Sequence, residues 1–427
     1  MSTSKLLVYA LAFLAADAQQ AGKLTLEAAP ELQMMTCYDS SDSCTVESFR
    51  ATLDANWRWL HRTDGWQNCF DGSWLCGDEV ICASECALEG VDAQKYAETY
   101  GVSRADRNSL RLAYVTGSNV GSRLYATTPE GSFRLFRLKN REITFSLDVS
   151  ELPCGLNSAV YFFEADALGG LGRGRNGAGA AFGTGYGDAQ CPTDVKFING
   201  TANVRGEYGN CAAEIDIFEG NREAMAYTMH PCSIQGQRRC RGDECQDVCD
   251  KSGCDFNSYR AGFRDFYGPG KVIDTTKAFE LTTQFLTDTG SDEGSLMEVR
   301  QLYSQNGQVL PAPGTITDSE CAARSSLYGD RDIFASKGGL RSMGEALDRG
   351  VVLVLSIWDD GAANMLWLDS TYPPGSSAPG SLRGPCPPGP TNEPAFLRGR
   401  YPGISARIGD FRVGGIGSTY MRSVQGG

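Results

Sequence analysis

The fold of this chain is most constrained by a series of short segments in which apolar and polar residues alternate. The segments ITFSLDV (residues 143–149) and AFELTTQF (278–285) alternate strictly, as expected of strands with one buried face. The segment VVLVLSIW (351–358) is almost continuously apolar and predicts a strand buried on both faces. In LMEVRQLYSQNGQVL (296–310), an Asn-Gly pair separates two strand-like runs, which predicts a β-hairpin.

Helical patterns are few and short, and SMGEALDRG (342–350) is the clearest of them. Together with 51 glycines and several long loops, the strand patterns predict an all-β protein, most naturally a large antiparallel β-sandwich. The length of 427 residues suggests two or three domains, but no linker or repeat divides the chain. The Pro- and Gly-rich stretch 372–394 precedes further strand-like sequence and contains Cys386, which indicates an ordered loop.

The N-terminal residues are typical of a secretory signal peptide. The apolar run LLVYALAFLAADA (6–18) follows Lys5 and is too short to span a membrane. It ends in the small-residue pattern Ala16-Asp17-Ala18, which predicts cleavage after Ala18. The alternative is a buried N-terminal helix. We therefore expect a secreted, extracellular protein whose residues 19–427 form one domain.

The chain contains 16 cysteines, and all of them follow the predicted signal peptide. In an oxidising compartment an even number of cysteines predicts disulfide bonds rather than free thiols. The densest stretch, CRGDECQDVCDKSGC (240–254), could also suggest a metal cluster. It has no CxxC pair, and the only histidines of the chain are His61 and His230. We therefore predict disulfides, with no metal and no cofactor.

The net charge of −13 narrows the range of partners. Nucleic acids and anionic membranes both require a positive protein surface, so neither is expected to bind. A neutral polymer is compatible with this charge.

The segment EIDIFEGN (214–221) places three carboxylates within six positions. On a strand, Glu214 and Asp216 point to one face, whereas Glu219 has the opposite parity. A β-bulge near Phe218 would return Glu219 to the face of Glu214. Two glutamates on one groove suit retaining glycoside hydrolysis, in which one carboxylate is the nucleophile and the other carboxyl is the acid. The alternative is an ordinary solvated strand face.

Several further motifs occur in a characteristic order along the chain: LDANWRWLH (53–61), ELPCGLNSAVYF (151–162), GTGYGDAQCP (183–192), HPC (230–232), CDFNSYRAGFRDFYGPG (254–270), SIWDDGAANMLWLDSTYPP (356–374) and GIGST (415–419). Together with EIDIFEGN, this set closely resembles glycoside hydrolase family 7, the secreted cellobiohydrolases and endoglucanases that cut β-1,4-glucan. The resemblance extends from about Thr36 to about Thr419. It implies a concanavalin A-like β-sandwich (jelly roll) whose long loops form a glucan-binding groove.

The resemblance also implies a role for individual residues. Glu214 matches the nucleophile, Asp216 its supporting carboxylate and Glu219 the general acid/base, while His230 matches a histidine on the leaving-group side. The matched substrate-binding positions are Trp57, Trp59, Asn157, Tyr161, Asp188, Gln190, Arg260, Trp358, Trp367 and Arg383. Tryptophan indoles offer flat platforms for the apolar faces of sugar rings, and we expect Trp57 and Trp59 to share one strand face.

The resemblance further implies a disulfide pairing. Two bridges of the family's fullest set are absent as whole units, since Ala87, Ala212 and Gly187 stand where the family has cysteines and one N-terminal cysteine is missing. The remaining cysteines are expected to pair as 37–44, 69–86, 76–82, 154–386, 191–211, 232–249, 240–245 and 254–321.

Loop lengths bear on the mode of action. Family exo-enzymes cover the groove with long loops, but here only RGEYGN (205–210) and QDV (246–248) stand at two of these positions, and Gly361-Ala362 replaces a double tyrosine. We therefore expect an open, endo-acting cleft. The retained loop around Arg383 keeps a cellobiohydrolase with an open tunnel as the alternative, and a non-catalytic carbohydrate-binding protein is a third reading. We expect a monomer that binds cellulose or another β-1,4-glucan and that carries no separate carbohydrate-binding module.

Overall fold

The structure is a computed structural model that describes residues 19–38 and 43–420, so the predicted signal peptide lies outside the described residues. The strands of these residues are β1 (Gln20–Ala21), β2 (Glu31–Cys37), β3 (Cys44–Leu53), β4 (Leu60–Arg62), β5 (Cys86–Leu88), β6 (Val102–Arg104), β7 (Ser109–Ala113), β8 (Val115–Thr116), β9 (Asn119–Val120), β10 (Ser122–Thr127), β11 (Leu135–Phe136), β12 (Arg141–Asp148), β13 (Leu156–Glu164), β14 (Phe197–Ile198), β15 (Thr201–Ala202), β16 (Tyr208–Cys211), β17 (Glu214–Gly220), β18 (Met225–His230), β19 (Arg238–Arg241), β20 (Cys254–Asn257), β21 (Tyr267–Gly268), β22 (Ile273–Asp274), β23 (Phe279–Thr287), β24 (Leu296–Gln305), β25 (Gln308–Pro311), β26 (Val351–Asp359) and β27 (Ser405–Gly415).

Helices are short and lie mostly between strands. They are α1 (Glu79–Glu85), α2 (Ala93–Glu98), α3 (Asp318–Tyr328), α4 (Ile333–Ser336), α5 (Gly339–Arg349), α6 (Leu366–Asp369) and α7 (Pro394–Arg400). Single 3₁₀ turns occur at Arg173–Arg175, Ala180–Phe182, Gly242–Cys245 and Pro390–Asn392. In the part of the chain that the structure describes, none of these helices has the length and apolarity needed to cross a bilayer.

The long strands form two layers that pack face to face. One layer has the order β20-β18-β17-β13-β26-β10-β3, and the other has the order β2-β27-β12-β23-β24-β25. Phe218 of the first layer lies 6.3 Å from Phe279 of the second, measured between ring centroids. Gln301 of β24 also donates a hydrogen bond across the interface to the carbonyl of Ile217, at 2.6 Å. The prediction of an all-β sandwich is therefore confirmed.

Strand β3 belongs to both layers. Its first half pairs with β2, for example Thr45 with Thr36, and its second half pairs with β10, for example Leu53 with Leu124. The two layers are thus joined by one continuous strand as well as by their packed faces.

Three local predictions are confirmed in detail. The segment VVLVLSIW lies in β26, between β10 and β13, and its first seven residues are buried. The Asn306-Gly307 pair forms the two-residue turn between β24 and β25, and both residues have positive φ angles (53° and 75°), as a type I′ turn requires. The segment SMGEALDRG lies largely in α5, whose buried side includes Met343 and Leu347.

Strand β12 differs from the simple alternation that its sequence predicts. Ile143, Phe145 and Leu147 belong to the core, as expected. However, Thr144 on the opposite face is also fully buried, because the hydroxyls of Thr282 and Thr419 lie 2.7 and 2.6 Å from its own. The C-terminal segment therefore covers a strand face that was predicted to be exposed.

All 16 cysteines lie within the described residues and form eight disulfides. The pairs are Cys37–Cys44, Cys69–Cys86, Cys76–Cys82, Cys154–Cys386, Cys191–Cys211, Cys232–Cys249, Cys240–Cys245 and Cys254–Cys321. Each pair is the one that the resemblance implied. The bond between Cys154 and Cys386 joins the start of β13 to the Pro-rich loop before α7 across 232 positions of sequence.

The Cys154–Cys386 bond closes a much longer chain segment than the Cys240–Cys245 bond, and the two bonds should therefore contribute differently to stability. In the chain-entropy account, removing the Cys154–Cys386 bond by a double Cys→Ala change costs about 5 kcal/mol of unfolding free energy. The same change at Cys240–Cys245, which closes only five positions, should cost about 2 kcal/mol. Denaturant unfolding of both variants, each checked for the absence of free thiols by alkylation, measures the two losses. Equal losses would contradict the entropic account for this protein.

Candidate active site

A β-bulge in β17 brings the three acids of EIDIFEGN to one side of the sheet. Asp216 is opposite Thr228 of β18 and Glu219 is opposite Ala226, so Ile217 and Phe218 together face a single residue of β18. The pairing with β13 shifts at the same point, which confirms the predicted bulge. Ile217 and Phe218 are both fully buried in the core between the layers.

Glu214, at the start of β17, is 9% exposed and receives one hydrogen bond from the protein backbone. The Ala189 N–H donates to its Oε2 at 3.1 Å. Burial raises the pKa of Glu214 well above its ordinary value, and the nearby charges of Asp216 and Asp188 raise it further. A single amide donor opposes this rise only in part.

Asp216 and His230 form a buried pair next to Glu214. The Nε2 of His230 lies 3.1 Å from Oδ2 of Asp216, and its Nδ1 lies 2.8 Å from the carbonyl oxygen of Asp250. Acceptors at both nitrogens favour the doubly protonated ring. Burial alone would lower the pKa of His230, but the hydrogen bond and the charge of Asp216 outweigh it and raise the pKa to about 9. One side-chain atom from each of Glu214, Asp216 and His230 lies within 4.8 Å of the other two.

Glu219 is held by Asn157 of the neighbouring strand β13. The Nδ2 of Asn157 donates to Oε1 of Glu219 at 2.8 Å, and its Oδ1 accepts from the Gly220 N–H at 2.9 Å. Burial and the charge of Asp216 raise the pKa of Glu219 to about 8, although the hydrogen bond from Asn157 acts in the opposite direction. At neutral pH the Glu219 carboxyl is therefore protonated.

Asn157 has a different role from the one expected. The resemblance suggested that it lines the substrate path, but its side chain is fully buried and bonded to Glu219 and Gly220. It positions Glu219, and its exposed area is too small to contact a polymer.

A buried polar cluster on the Glu214 side contains two of the predicted residues. Tyr161 is 6% exposed, and its hydroxyl lies 3.0 Å from that of Tyr186, which in turn donates to Oδ2 of Asp188 at 2.6 Å. The guanidinium of Arg123 stacks on the Tyr186 ring, 3.4 Å from its centroid. Tyr186 and Arg123 were not predicted. Tyr186 stands two positions before Asp188 in GTGYGDAQCP and could have been identified from that motif, whereas the Arg123 sequence carries no such signal.

Trp57 and Trp59 are not on a strand, so that prediction is wrong. They lie in the turn between β3 and β4, where the intervening Arg58 is 1% exposed and bonds to Glu27. Both indoles are partly exposed. The Trp57 ring also contacts the Arg123 guanidinium at 5.4 Å, which connects it to the Tyr186 cluster.

Trp358 and Trp367 lie together on the Glu219 side of β17. Trp358, near the end of β26, is paired in register with Asn157, the residue that holds Glu219. The Trp367 ring lies 6.3 Å from the Trp358 ring, and its Nε1 donates to Asp360 at 2.9 Å. Both indoles are partly exposed. Trp57 thus connects to the Glu214 side of the site through Arg123 and the Tyr186–Asp188 cluster. Trp358 and its neighbour Trp367 connect to the Glu219 side through Asn157.

Of the two predicted arginines, Arg383 lies within the Pro-rich loop and Arg260 lies beside it. Arg260 is largely satisfied by the protein, because it bonds to Asp255 at 2.5 Å and to the Gly380 carbonyl at 2.9 Å. Arg383 keeps a buried Nε atom that has no hydrogen-bond partner within the described residues. Burial lowers the pKa of Arg383, against the opposing charge of Asp255. Arg383 is also partly exposed, whereas Arg260 is held by its own contacts with the protein.

An open recess of about 630 Å³ lies beside Gln190, next to the Asp188 cluster. Gln190 itself is exposed, and its side chain donates to the Lys251 carbonyl at 2.7 Å. The lining of the recess includes Gly206 and Glu207 as well as Arg241, Gly242, Asp243, Cys245 and Gln246. Gly206 and Glu207 belong to the short segment RGEYGN, and Gln246 is the first residue of the short segment QDV.

Comparison with known proteins agrees with this geometry. Residues 21–420 match the sequence profile of Glycosyl hydrolase family 7. Among solved structures, the chain is 41% identical to a GH7 family cellobiohydrolase from Daphnia pulex, with a TM-score of 0.90, and the match covers 94% of this chain and 100% of that one. A cellobiohydrolase from Melanocarpus albomyces, complexed with cellotetraose, is 37% identical with a TM-score of 0.86 and the same coverage.

An endocellulase from Humicola insolens, EGI, is 33% identical with a TM-score of 0.80, again over 94% of this chain and 100% of the other. Cellobiohydrolases and endocellulases are therefore both among the similar structures. The profile match spans nearly the whole chain, and the similar structures share its jelly-roll β-sandwich. This chain belongs to glycosyl hydrolase family 7 and is a glycoside hydrolase of that cellulase family.

Proposed function

We propose that the protein is a secreted, retaining β-1,4-glucan hydrolase with an open, endo-acting cleft. The observation that carries the proposal is the bulge in β17, which aligns Glu214, Asp216 and Glu219 while Ile217 and Phe218 remain in the core. The Melanocarpus albomyces enzyme was solved with cellotetraose, which supports a β-1,4-glucan as the ligand here. The eight disulfides support an oxidising, extracellular location for a catalytic domain of residues 19–427.

In the first chemical step, Glu214 attacks the anomeric carbon while Glu219 gives its proton to the glycosidic oxygen. The carbon–oxygen bond to the leaving chain breaks as an ester bond to Glu214 forms. In the second step, Glu219 takes a proton from water, which attacks the same carbon and releases Glu214. Two inversions at one carbon give net retention of configuration.

The reaction requires the two carboxyls to be in different protonation states. Glu214 and Glu219 both hold protons more tightly than free glutamates, because each is buried and close to other carboxylates. The reactive form keeps one proton on Glu219 and has lost the proton of Glu214. The Ala189 N–H opposes the rise in the pKa of Glu214, and the Asn157 side chain opposes the rise in the pKa of Glu219.

Asp216 and His230 act as positioning residues. At neutral pH the His230 imidazolium donates to Asp216 and to the Asp250 carbonyl, which fixes the Asp216 carboxylate beside Glu214. The leaving chain departs toward Glu219, where Trp358, Trp367 and Arg383 lie on the same side. Arg383, which is partly exposed, would hold the released sugars by their hydroxyls.

Endo action is supported by the recess beside Gln190. Gly206 and Gln246, one from each of the two short segments, line it and are exposed. Gly361 and Ala362, which follow β26, are exposed as well and carry no ring that could cover the groove. A chain bound there can leave sideways, so repeated cutting of one chain competes poorly with release.

A cellobiohydrolase with an open tunnel is the second candidate. It is favoured by the Pro-rich loop of Arg383, which is fixed by the Cys154–Cys386 bond and by hydrogen bonds from Asn257 and Arg260. The 41% identity to the Daphnia pulex cellobiohydrolase points the same way.

Substitution of the two glutamates tests the chemistry. Glu214→Gln should lower kcat by roughly 10⁴-fold or more with the fold intact, because an amide cannot form the glycosyl ester. Glu219→Gln should be similarly slow on cellulose but partly spared in the first step on aryl cellobiosides, whose leaving groups need little protonation. Burst-phase kinetics and NMR of the product anomer measure both.

The matched control is Glu223→Gln, a glutamate in the turn after β17 that bonds to Arg222. It should retain wild-type activity. Near-normal turnover by Glu214→Gln, or an inverted product anomer, would contradict the proposed mechanism.

The raised pKa of Glu219 also predicts how stability depends on pH. A carboxyl whose pKa is about 8 when folded and about 4.5 when unfolded binds its proton more tightly in the folded state. Its contribution to stability is full below pH 4.5 and is lost as the pH rises toward 8. Glu219→Gln, which cannot ionise, should therefore be more stable than the wild type at pH 8, by on the order of 4 kcal/mol, and similar to it at pH 4.5. Parallel Tm curves for the two proteins between pH 4.5 and 8 would refute this.

The mode of action is tested on carboxymethyl cellulose. An open cleft should reduce viscosity rapidly while few reducing ends are formed, because each internal cut halves a chain. Cellobiose should accumulate late, held at the Arg383 side. Cellobiose as the main product from the first minutes, with viscosity almost unchanged, would instead establish the second candidate.

A further inference from the structure

Trp66 is an exposed indole that the proposed catalytic function leaves unexplained. It is 70% exposed, and within the described residues its indole N–H has no hydrogen-bond partner. A tryptophan that remains in solvent contributes little apolar burial to folding. Its position needs another explanation.

The Trp66 ring stacks on Trp59. The two ring centroids are 5.8 Å apart with an interplanar angle of 27°, and Trp59 also contacts the His61 ring at 4.4 Å. The Nε1 of Trp59 is already bonded to Asn68 at 2.7 Å. The ring of Trp59 thus contacts Trp66 and His61, and its N–H is bonded to Asn68. Trp66, in contrast, exposes most of its surface to solvent.

The turn that carries Trp66 is firmly held. The Arg62 N–H donates to the Gln67 carbonyl at 2.8 Å, and the Gly65 carbonyl lies 3.0 Å from Nδ1 of His61. His61 is 3% exposed and is bonded through Nε2 to the buried Glu89 at 2.8 Å. The exposed indole is thus presented on an ordered base, which reduces the entropic cost of binding.

A series of contacts connects this turn to the nucleophile. The Asp188 cluster adjoins Glu214 through Ala189, and Tyr186 of that cluster stacks on Arg123. Arg123 in turn contacts Trp57, which is followed after Arg58 by Trp59 and its partner Trp66. Trp66 is the last ring of this series, which begins on the Glu214 side of β17.

From these contacts we propose that Trp66 is an additional glucan-binding platform, at the end of the groove farthest from Arg383. Its flat face takes the apolar face of one glucose unit of a long β-1,4-glucan chain, and its free N–H can donate to a sugar hydroxyl. The inference rests on the proposed function and extends it to chains long enough to reach from Glu214 to Trp66. Short substrates do not reach it.

The test uses the full enzyme in a Glu214→Gln background, so that polymer binding is measured without hydrolysis. Dissociation constants for hydroxyethyl cellulose are obtained by affinity electrophoresis. Trp66→Ala should weaken binding by about threefold to tenfold, the range of one aromatic stacking contact. Trp66→Leu, which can still pack on Trp59 but lacks a flat face, should weaken it as much, and Trp66→Phe should restore binding to within about twofold of the unsubstituted background.

The controls separate this inference from the proposed function. Leu75→Ala, a change at another exposed apolar residue (61%), should leave polymer binding unchanged. With Glu214 intact, Trp66→Ala should leave kcat/KM for 4-nitrophenyl β-cellobioside at the wild-type value. Polymer binding by Trp66→Ala or Trp66→Leu that equals the unsubstituted background would overturn the inference, whereas absence of cellobioside hydrolysis by the wild type would overturn the proposed function itself.

Discussion

The bulge at Ile217 and Phe218 determines what β17 can do. Without the extra residue, Glu219 would follow the strict alternation of a strand and would face the core between the layers. Ile217 and Phe218, two large apolar residues in succession, both pack in the core at that point. Glu219 can therefore lie on the side of Asp216 without leaving a gap in the core. Most other features of the site depend on this shift, including the hydrogen bond from Asn157 to Glu219 and the in-register position of Trp358.

Placing several carboxyl groups together in a buried site is costly, and the surrounding residues show how the cost is reduced. Asp216 is compensated by the His230 imidazolium, Glu214 by one backbone amide, and Glu219 by retaining its proton. None of these arrangements removes the mutual repulsion completely. A site that must hold and release protons needs such incomplete compensation, since a fully satisfied carboxylate would be too weak as a base and too stable as a nucleophile.

Much of the fold could be predicted from local sequence. Three features depend only on nearby residues: the alternation of apolar and polar residues, the Asn306-Gly307 turn and the apolar run of β26. The rest of the chain does not change the structure that each of them favours. The bulge could also be predicted, because on a regular strand Glu219 would face the side opposite to Glu214, whereas paired catalysis requires both glutamates on one side. Thr144 was mispredicted because the residue that covers it, Thr419, is 275 positions away.

The site was less predictable in its details for a related reason. A spacing of two residues between Trp57 and Trp59 fits a strand and also fits a turn, and the backbone, which turns at residues 55–58, distinguishes them. Asn157 and Arg260 were expected to line the groove, and their bonds to Glu219 and to the Gly380 carbonyl arise from neighbouring elements in space. Sequence identifies which side chains are near a site more readily than it identifies their partners.

The strand β3, which pairs with β2 through one half and with β10 through the other, has a consequence for how the molecule loses its structure. In a sandwich whose layers were joined only by loops, the two layers could separate, and the layer on the groove side could lose its structure first. Here the hydrogen-bond ladder passes without interruption from one layer into the other. The layer that carries β17 is therefore mechanically continuous with the opposite layer, and large opening of the groove would require breaking ladder bonds that the whole domain shares.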